Sequence, residues 1–242
     1  MNKQFFLLIL LLTFSCSSDE ETMTTTLLSD LVAQHAIEIN NVIACASSGE
    51  IENEIIAYFY PRAGASDIRY FETTSTSEDK NDYTNYIQID VSPENLFNGY
   101  LQKFPRITSE EKWAIITFIE AGKLHLSNPI RLKHKTQTTL FSSTIDIDFS
   151  ENTMPVFTWQ SVANVSDAIY FQVISDNQNN LLSGTYTFDT YFQYYNTDNV
   201  VLNITNETPP VLTQDNSYNF TLMAVSEDNW VNHLLQTPFN IE

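Results

Sequence analysis

The four histidines are the side chains with the broadest chemical repertoire in this chain, because imidazole serves both as a general base and as a metal ligand. They are His35, His125, His134 and His233. None of them stands in a two-histidine helical motif, and each falls in a strand-like or loop-like context. Since a zinc site needs several such ligands to converge, the sequence favours packing roles for all four and predicts no metal ligand.

No nucleophile motif accompanies the histidines. The chain contains no Gly-x-Ser-x-Gly turn, no glycine-rich phosphate loop and no Cys-x-x-Cys pair. A Ser–His–Asp triad ignores sequence order, and thirty acidic residues offer many carboxylate pairs, so an enzyme with a site assembled in space stays open as an alternative. Because nothing selects one such set, we expect a protein without a catalytic site or a cofactor.

One acidic stretch has the oxygen spacing of a calcium loop. Oxygen-bearing side chains stand at every second position: Asp146, Asp148, Ser150 and Asn152. Glu151 occupies the position at which such a loop turns on glycine, and apolar residues alternate with the acids as they do on a strand. We therefore predict a strand with an acidic outer face. An interdomain calcium shared with later acids is the alternative left open: Asp167, Glu227 and Asp228.

A group of aromatic residues is the main candidate for ligand binding. Phe188 and four other aromatic residues crowd one connection between strands. In the topology that we predict, the four share an end of the second domain with Trp230, which gives a set of five: Tyr191, Phe192, Tyr194, Tyr195 and Trp230. We call these last five residues the aromatic pole. Clustered exposed aromatics stack on sugar rings or anchor peptides. The alternative, which we favour, is that the aromatic pole packs against the preceding domain.

Composition indicates the class of fold that positions these residues. The chain has 16 Phe, 12 Tyr and 3 Trp but only 5 Gly among its 242 residues, and aromatic side chains favour strands. The formal net charge of −19 argues against a nucleic-acid partner, because phosphate binding requires clustered cations.

The second half contains the clearest strand of the chain. Apolar residues alternate with a period of two across residues 218–224, beginning at Tyr218. A leucine, a polar turn and then this tyrosine resemble the tyrosine corner of a Greek-key sandwich, and Trp159 ends a short strand as the core tryptophan of fibronectin type III modules does. The resemblance implies an immunoglobulin-like β-sandwich.

The first half contains a similar pattern of alternating residues and turns. Residues 113–119 alternate from Trp113, and Gly122 supplies the tight turn of a hairpin. The spacing predicts an all-β protein with two tandem Greek-key β-sandwich domains similar to fibronectin type III and immunoglobulin-like modules, one over residues 37–142 and one over residues 143–242.

The amino-terminal segment carries an export signal. Lys3 precedes an apolar run over residues 5–12, which is too short for a permanent membrane span and typical of a signal peptide. Cys16 follows where cleavage falls, and this arrangement resembles a bacterial lipobox. The acidic run behind it, Asp19, Glu20 and Glu21, resembles the surface-export signal of Bacteroidetes lipoproteins.

This resemblance implies a signal peptide over residues 1–15, an acylated (palmitate-carrying) Cys16, and a tether over residues 16–36. The expected location is the outer membrane, with lipid anchoring and exposure at the cell surface. Cys45 is then the only other cysteine, so no intramolecular disulfide forms, and we expect it to be a small buried apolar residue.

Together these features predict a membrane-anchored, surface-exposed lipoprotein that acts as a non-catalytic binding, adhesion or scaffolding protein. Its expected partners are the membrane, through acylated Cys16, and a protein or glycan ligand. The sequence leaves two alternatives open, an accessory carbohydrate-binding protein of a glycan-uptake system and an unrecognised hydrolase.

Overall fold

Strands make up most of the regular structure of this protein. The computed structural model describes residues 26–151, 153–205 and 207–241. Within these ranges the first half contains one α-helix, two 3-10 helices and ten strands: α1 (Leu28–Gln34), β1 (Ile37–Val42), β2 (Ala44–Ser48), β3 (Glu54–Phe59), β4 (Ser66–Glu72), the 3-10 helix Tyr83–Asn85, β5 (Ile87–Ile89), β6 (Glu94–Leu96), the 3-10 helix Phe97–Gly99, β7 (Leu101–Ile107), β8 (Trp113–Glu120), β9 (Lys123–Ser127) and β10 (Ile130–Arg131).

The second half continues with strands alone across its described residues. They are β11 (Leu140–Ser142), β12 (Asp146–Asp148), β13 (Val156–Thr158), β14 (Ile169–Asp176), β15 (Leu181–Thr187), β16 (Tyr191–Gln193), β17 (Val200–Asn203), β18 (Ser217–Val225) and β19 (Val231–Asn240). The prediction of an all-β protein is confirmed.

The strands form four sheets. Sheet A has the order β1-β9-β8-β4-β5, with β10 also paired to β8, and sheet B has the order β2-β3-β7-β6. Sheet C has the order β11-β19-β18-β14-β15-β17, and sheet D has the order β12-β13-β16. The pairs β1–β9 and β11–β19 are parallel, and the other pairs are antiparallel.

Sheets A and B pack face to face, and strand β8 of sheet A is apolar on both of its faces. Ala114, Ile116 and Phe118 point into the core between the two sheets. Trp113 and Ile115 point the other way and pack with helix α1. The two faces of this strand are therefore buried by different layers, as a period of two allows.

Sheets C and D enclose a second core. Tyr218, Phe220 and Leu222 on β18 face this core, as their alternation predicts. Phe220 stacks on Phe157 with 4.3 Å between ring centroids. The hydroxyl of Tyr218 accepts a hydrogen bond from the backbone N–H of Thr213 at 3.0 Å, which holds the chain at the entry to β18.

One strand expected from the sequence is divided in the structure. The apolar run over residues 39–47 predicts a single strand, but β1 lies in sheet A and β2 lies in sheet B. The register of β1 slips between Glu38 and Val42, and Asn40 has a positive φ of 55°. A β-bulge of this kind bends the strand, so the chain crosses from one sheet to the other at Ile43.

The outer faces of sheets B and C also pack together. Their shared apolar cluster contains Tyr58 and Leu101 from sheet B and Phe171, Val173 and Met223 from sheet C. The layers therefore follow the order α1, sheet A, sheet B, sheet C, sheet D, and the middle interface joins the two halves of the chain.

Candidate functional site

The turn between β18 and β19 inserts Trp230 into the first half of the chain. This side chain is fully buried and belongs to the core between sheets A and B. Its indole Nε1 donates a hydrogen bond to the carbonyl of Gln137 at 2.8 Å. The backbone N–H of Ala46 donates to the carbonyl of Asn229 at 3.0 Å. Trp230 thus packs against the half of the chain that precedes it.

The other members of the aromatic pole lie in the second half, and the structure does not bring all five residues together. Phe192 and Tyr194 are buried in the core between sheets C and D, and the Tyr194 hydroxyl donates to the carbonyl of Pro210. Tyr195 is half-buried beside that core. Tyr191 is 46% exposed. Because Phe192 pairs with the inward-facing Phe157 on β13, its neighbour Tyr191 must face outward.

The acids considered for a calcium site are engaged separately. Asp146 and Asp148 lie exposed on β12, and Asn152 lies outside the described residues. Asp167 accepts a hydrogen bond from the Asn232 amide at 2.7 Å, and Asp228 forms an ion pair with Lys133 at 3.0 Å. No group of three or more His, Cys, Asp or Glu side chains able to hold a metal ion occurs in the part of the chain that the structure describes.

His125 belongs to a polar cluster at the edge of sheet A. Its Nδ1 lies 2.8 Å from Nη2 of Arg62 and 3.0 Å from Oδ1 of Asn41. Arg62 in turn forms a 2.7 Å ion pair with Glu120. A guanidinium in contact with a carboxylate is electrically compensated, so this cluster presents no free charge. Its contacts with Asn41 position the bulged end of β1.

A serine and a histidine meet where β11 pairs with β19. Oγ of Ser142 lies 2.7 Å from Nε2 of His233, 91 residues away in the chain. Burial lowers the pKa of His233, with the nearby Asp167 acting in the opposite direction. The imidazole is therefore neutral at pH 7, the state that a general base requires. The sequence carries no signal for this contact, because triad-like groups share no fixed spacing.

A cleft of about 460 Å³ opens between sheets B and C. One wall is formed by the bulge and the start of β2, together with the end of β3: Asn40, Asn41, Ile43, Cys45, Tyr58 and Tyr60. The opposite wall is formed by the outer face of sheet C: Ile169, Phe171, Tyr186, Leu202 and Met223. Arg62, Asn128 and Asn229 also line the cleft. Sequence patterns do not reveal the cleft, since its two walls come from different halves of the chain.

The residues predicted to attach the protein to a membrane lie outside the described ranges. Cys16, Asp19, Glu20 and Glu21 precede the first described residue, so acylation of Cys16 stays a prediction. Among the residues that the structure does describe, no helix has the length and apolar character needed to cross a bilayer.

Comparisons with known proteins yield little. No family model matches the chain, and no curated protein matches it. Among solved structures, a β-glucuronidase from Ruminococcus gnavus in complex with D-glucuronic acid is similar over 78% of this chain and 36% of its own, at 11% identity and a TM-score of 0.26. The chain thus spans about a third of the length of that enzyme, and a TM-score of this size supports no transfer of fold or function.

Proposed function

We propose that this protein is a lipid-anchored lipoprotein of the outer membrane, exposed at the cell surface, that acts by binding or scaffolding rather than by catalysis. In this proposal residues 37–142 and 143–242 are tandem sandwich domains of the fibronectin type III or immunoglobulin-like kind, and acylated Cys16 attaches them to the membrane. The observation that carries the binding or scaffolding role is the apolar interface between sheets B and C, which joins the two halves of the chain. The membrane location rests on the lipobox resemblance at Cys16.

Two contacts support the assignment of the second half as a Greek-key sandwich. The hydrogen bond between Tyr218 and the backbone of Thr213, five residues upstream, is the contact that a tyrosine corner makes. Trp159 is buried in the same core and meets Tyr170 edge to face, with 5.4 Å between ring centroids. A buried tryptophan between the two sheets is typical of these modules.

The interface supports a scaffolding role because it restrains the two domains. Tandem domains move relative to each other unless the surface between them is large and apolar. Here the apolar cluster is reinforced by the insertion of Trp230 and by polar contacts. The Asn98 amide donates to Asn180, and the Tyr100 hydroxyl donates to the carbonyl of Ile204. A rigid arrangement of this kind presents fixed surfaces to a partner.

Membrane attachment is tested by removing the acylation site. Cys16→Ala should leave the protein in the aqueous phase after detergent partitioning, whereas Cys45→Ala, the matched control, should leave it in the detergent phase. Neutralising Asp19, Glu20 and Glu21 should retain the acylated protein on the inner side of the outer membrane, measured by protease accessibility on intact cells. Equal partitioning of the Cys16 variant and the parent would contradict the proposal.

An exposed aromatic pair favours carbohydrate binding as a second function. Phe188 is 66% exposed and Tyr191 is 46% exposed, at the two sides of one short turn. Exposed rings stack on the apolar faces of sugars. If this surface binds glycans, Phe188→Ala with Tyr191→Ala should abolish binding on a glycan array, and Val211→Ala, at another exposed apolar site, should leave it unchanged.

The contact between Ser142 and His233 keeps a hydrolase as a third candidate function. Hydrolysis of p-nitrophenyl acetate by the parent protein, lost in Ser142→Ala and in His233→Gln, would favour it. Equal background rates in all three proteins would remove it.

A further inference from the structure

We propose that the cleft between sheets B and C binds a neutral small molecule with an apolar ring body and a polar edge. This inference rests on the binding role proposed above and names the class of ligand. Clefts of 300–1,000 Å³ are the usual size for small-molecule sites, and this one has a volume of about 460 Å³.

One wall of the cleft is a row of apolar side chains across sheet C. The row that stands in register across neighbouring strands begins at Leu234, beyond the cleft, and continues along the wall with Met223, Phe171, Tyr186 and Leu202. The first three are buried by sheet B, whereas Leu202 on the edge strand is 43% exposed. Sheets twist, so two sheets packed at their centres diverge towards an edge. The cleft is this diverging part of the interface.

The facing wall is apolar and aromatic as well. Cys45 and Tyr58 are paired on neighbouring strands of sheet B, and the N–H of Tyr60 donates to the carbonyl of Ile43 at 3.0 Å, which fixes the bend of the chain at the mouth. On the opposite wall, the neighbouring rings of Phe171 and Tyr186 stack with 4.4 Å between their centroids. Two ring-bearing walls fit a flat apolar body.

The described lining of the cleft offers no uncompensated charge to pair with an ionic ligand. Arg62 is the one charged side chain among the described lining residues, and its N–H groups donate to Glu120 and to Asn41. Burial raises the pKa of the Cys45 thiol to about 12, so the thiol is uncharged at pH 7. The net charge of −19 repels anions at longer range.

The polar edge of the ligand is indicated by the hydroxyl of Tyr186. The hydroxyl of Tyr186 lines the cleft and makes no hydrogen bond with any described residue. Burial raises its pKa well above the ordinary value, so it remains a neutral donor. Asn40 and Asn128 are exposed at the rim of the cleft, where water satisfies their side-chain amides. Tyr186 is half-buried, so its hydroxyl can exchange a water for an acceptor on the polar edge of a ligand.

Two fluorescent probes that differ by one charge test the proposal. N-phenyl-1-naphthylamine is neutral, and 1-anilinonaphthalene-8-sulfonate is the same ring system with a sulfonate. With the soluble Cys16→Ala protein, we expect saturable one-to-one binding of the neutral probe and binding of the sulfonate weaker by at least about tenfold. Comparable affinity for the two probes would overturn the inference, as would the absence of binding.

Adjacent residues of β17 provide a matched pair of variants. Leu202→Trp fills the cleft and should abolish probe binding. Val201, the neighbouring residue at the bulge of β17, does not line the cleft and has a similar exposure of 49%, so Val201→Trp should bind as the parent does. Binding retained by Leu202→Trp would place the probe elsewhere and overturn the assignment. Probe binding that appears only after deletion of residues 17–25 would also overturn the assignment, because the ligand of the cleft would then be the chain's own tether.

The hydroxyl of Tyr186 has its own measurement. Tyr186→Phe should weaken 6-propionyl-2-dimethylaminonaphthalene, which carries a carbonyl acceptor, by about fivefold, and leave N-phenyl-1-naphthylamine unchanged. Equal effects on both probes would contradict the hydrogen bond. These measurements use a protein without lipid, so their failure is distinguishable from a failure of Cys16 acylation, which detergent partitioning reports.

Discussion

The indole of Trp230 and the carbonyl of Gln137 are joined by a 2.8 Å hydrogen bond, although 93 residues separate them. The bond satisfies the one polar atom of a side chain that is otherwise enclosed by apolar residues of sheets A and B. The tip of the β18–β19 hairpin is thereby part of a core that belongs to the other half of the chain. Several measurable properties of the protein depend on this insertion and on the interface around it.

Replacing Trp230 should destabilise the whole protein. Trp230→Ala leaves a cavity in the core and an unpaired carbonyl at Gln137, and truncation of a buried aromatic residue costs about 3–5 kcal/mol. Urea unfolding should show this loss, and small-angle scattering should show a more variable particle. Tyr191→Ala, at an exposed site, should change the stability by less than about 0.5 kcal/mol. Parent-like unfolding of Trp230→Ala would contradict the insertion.

The two halves should remain associated after the chain is cut between them. Residues 136–242 contain no lysine or arginine, so trypsin should leave these 107 residues (242 − 135) as one fragment after cleavage at the exposed Lys135. Because sheets B and C share an apolar cluster, the fragments should co-elute in gel filtration and separate only in urea. Lys135→Gln with Lys133→Gln, which removes the two cleavage sites nearest the fragment, is the control. Separate elution under native conditions would mean that the interface is weak.

The hydroxyl of Tyr218 should contribute measurably to stability. Tyr218→Phe leaves the backbone N–H of Thr213 without its 3.0 Å acceptor, and loss of one hydrogen bond at a partly buried site costs about 0.5–1.5 kcal/mol. The free energy of unfolding measures this loss. Tyr191→Phe, which removes an exposed hydroxyl, is the control. Equal stability of the two variants would show that the hydrogen bond between Tyr218 and Thr213 contributes nothing to the free energy of unfolding.

Acid should destabilise the fold through two buried histidines. Burial lowers the pKa of His134 and of His233 in the folded state. The unfolded chain therefore binds protons first as the pH falls below about 6.5, and stability decreases until the folded pKa values are passed. Urea unfolding at pH 7.5 and 5.5 should show a smaller loss for His134→Gln than for the parent. Between pH 7.5 and 8.5 these residues should contribute no change. A stability that rises on acidification would contradict the assignment.

Cys45 should react slowly in the folded protein. With Cys16→Ala it is the only thiol, and burial raises its pKa to about 12. Alkylation requires the thiolate, so at pH 8.5 iodoacetamide should modify the native protein more than about a hundredfold more slowly than the urea-unfolded chain. N-phenyl-1-naphthylamine in the cleft should slow it further. Similar rates in the two states would show that Cys45 is open to solvent.

The strands were predictable because their signal is local. Residues that alternate with a period of two along β8 and β18 lie on opposite faces in the structure, and either face can be identified from neighbouring residues. The division of residues 39–47 between two sheets was not predictable. It depends on a bulge at Asn40, and that bulge is selected by the sheets that the chain joins on each side.

The sequence by itself determined the all-β class, the faces of the longest strands and the surplus of acidic residues, since each of these follows from composition or from spacing within one segment. The tertiary structure alone decided which aromatic residues meet. Trp230 lies in the core of the first half, Phe192 and Tyr194 lie in the core of the second, and Tyr191 stays at the surface. It also created the cleft, whose walls approach only when sheets B and C pack. Contacts between residues distant in the chain depend on how whole sheets twist and pack, and no local pattern encodes that geometry.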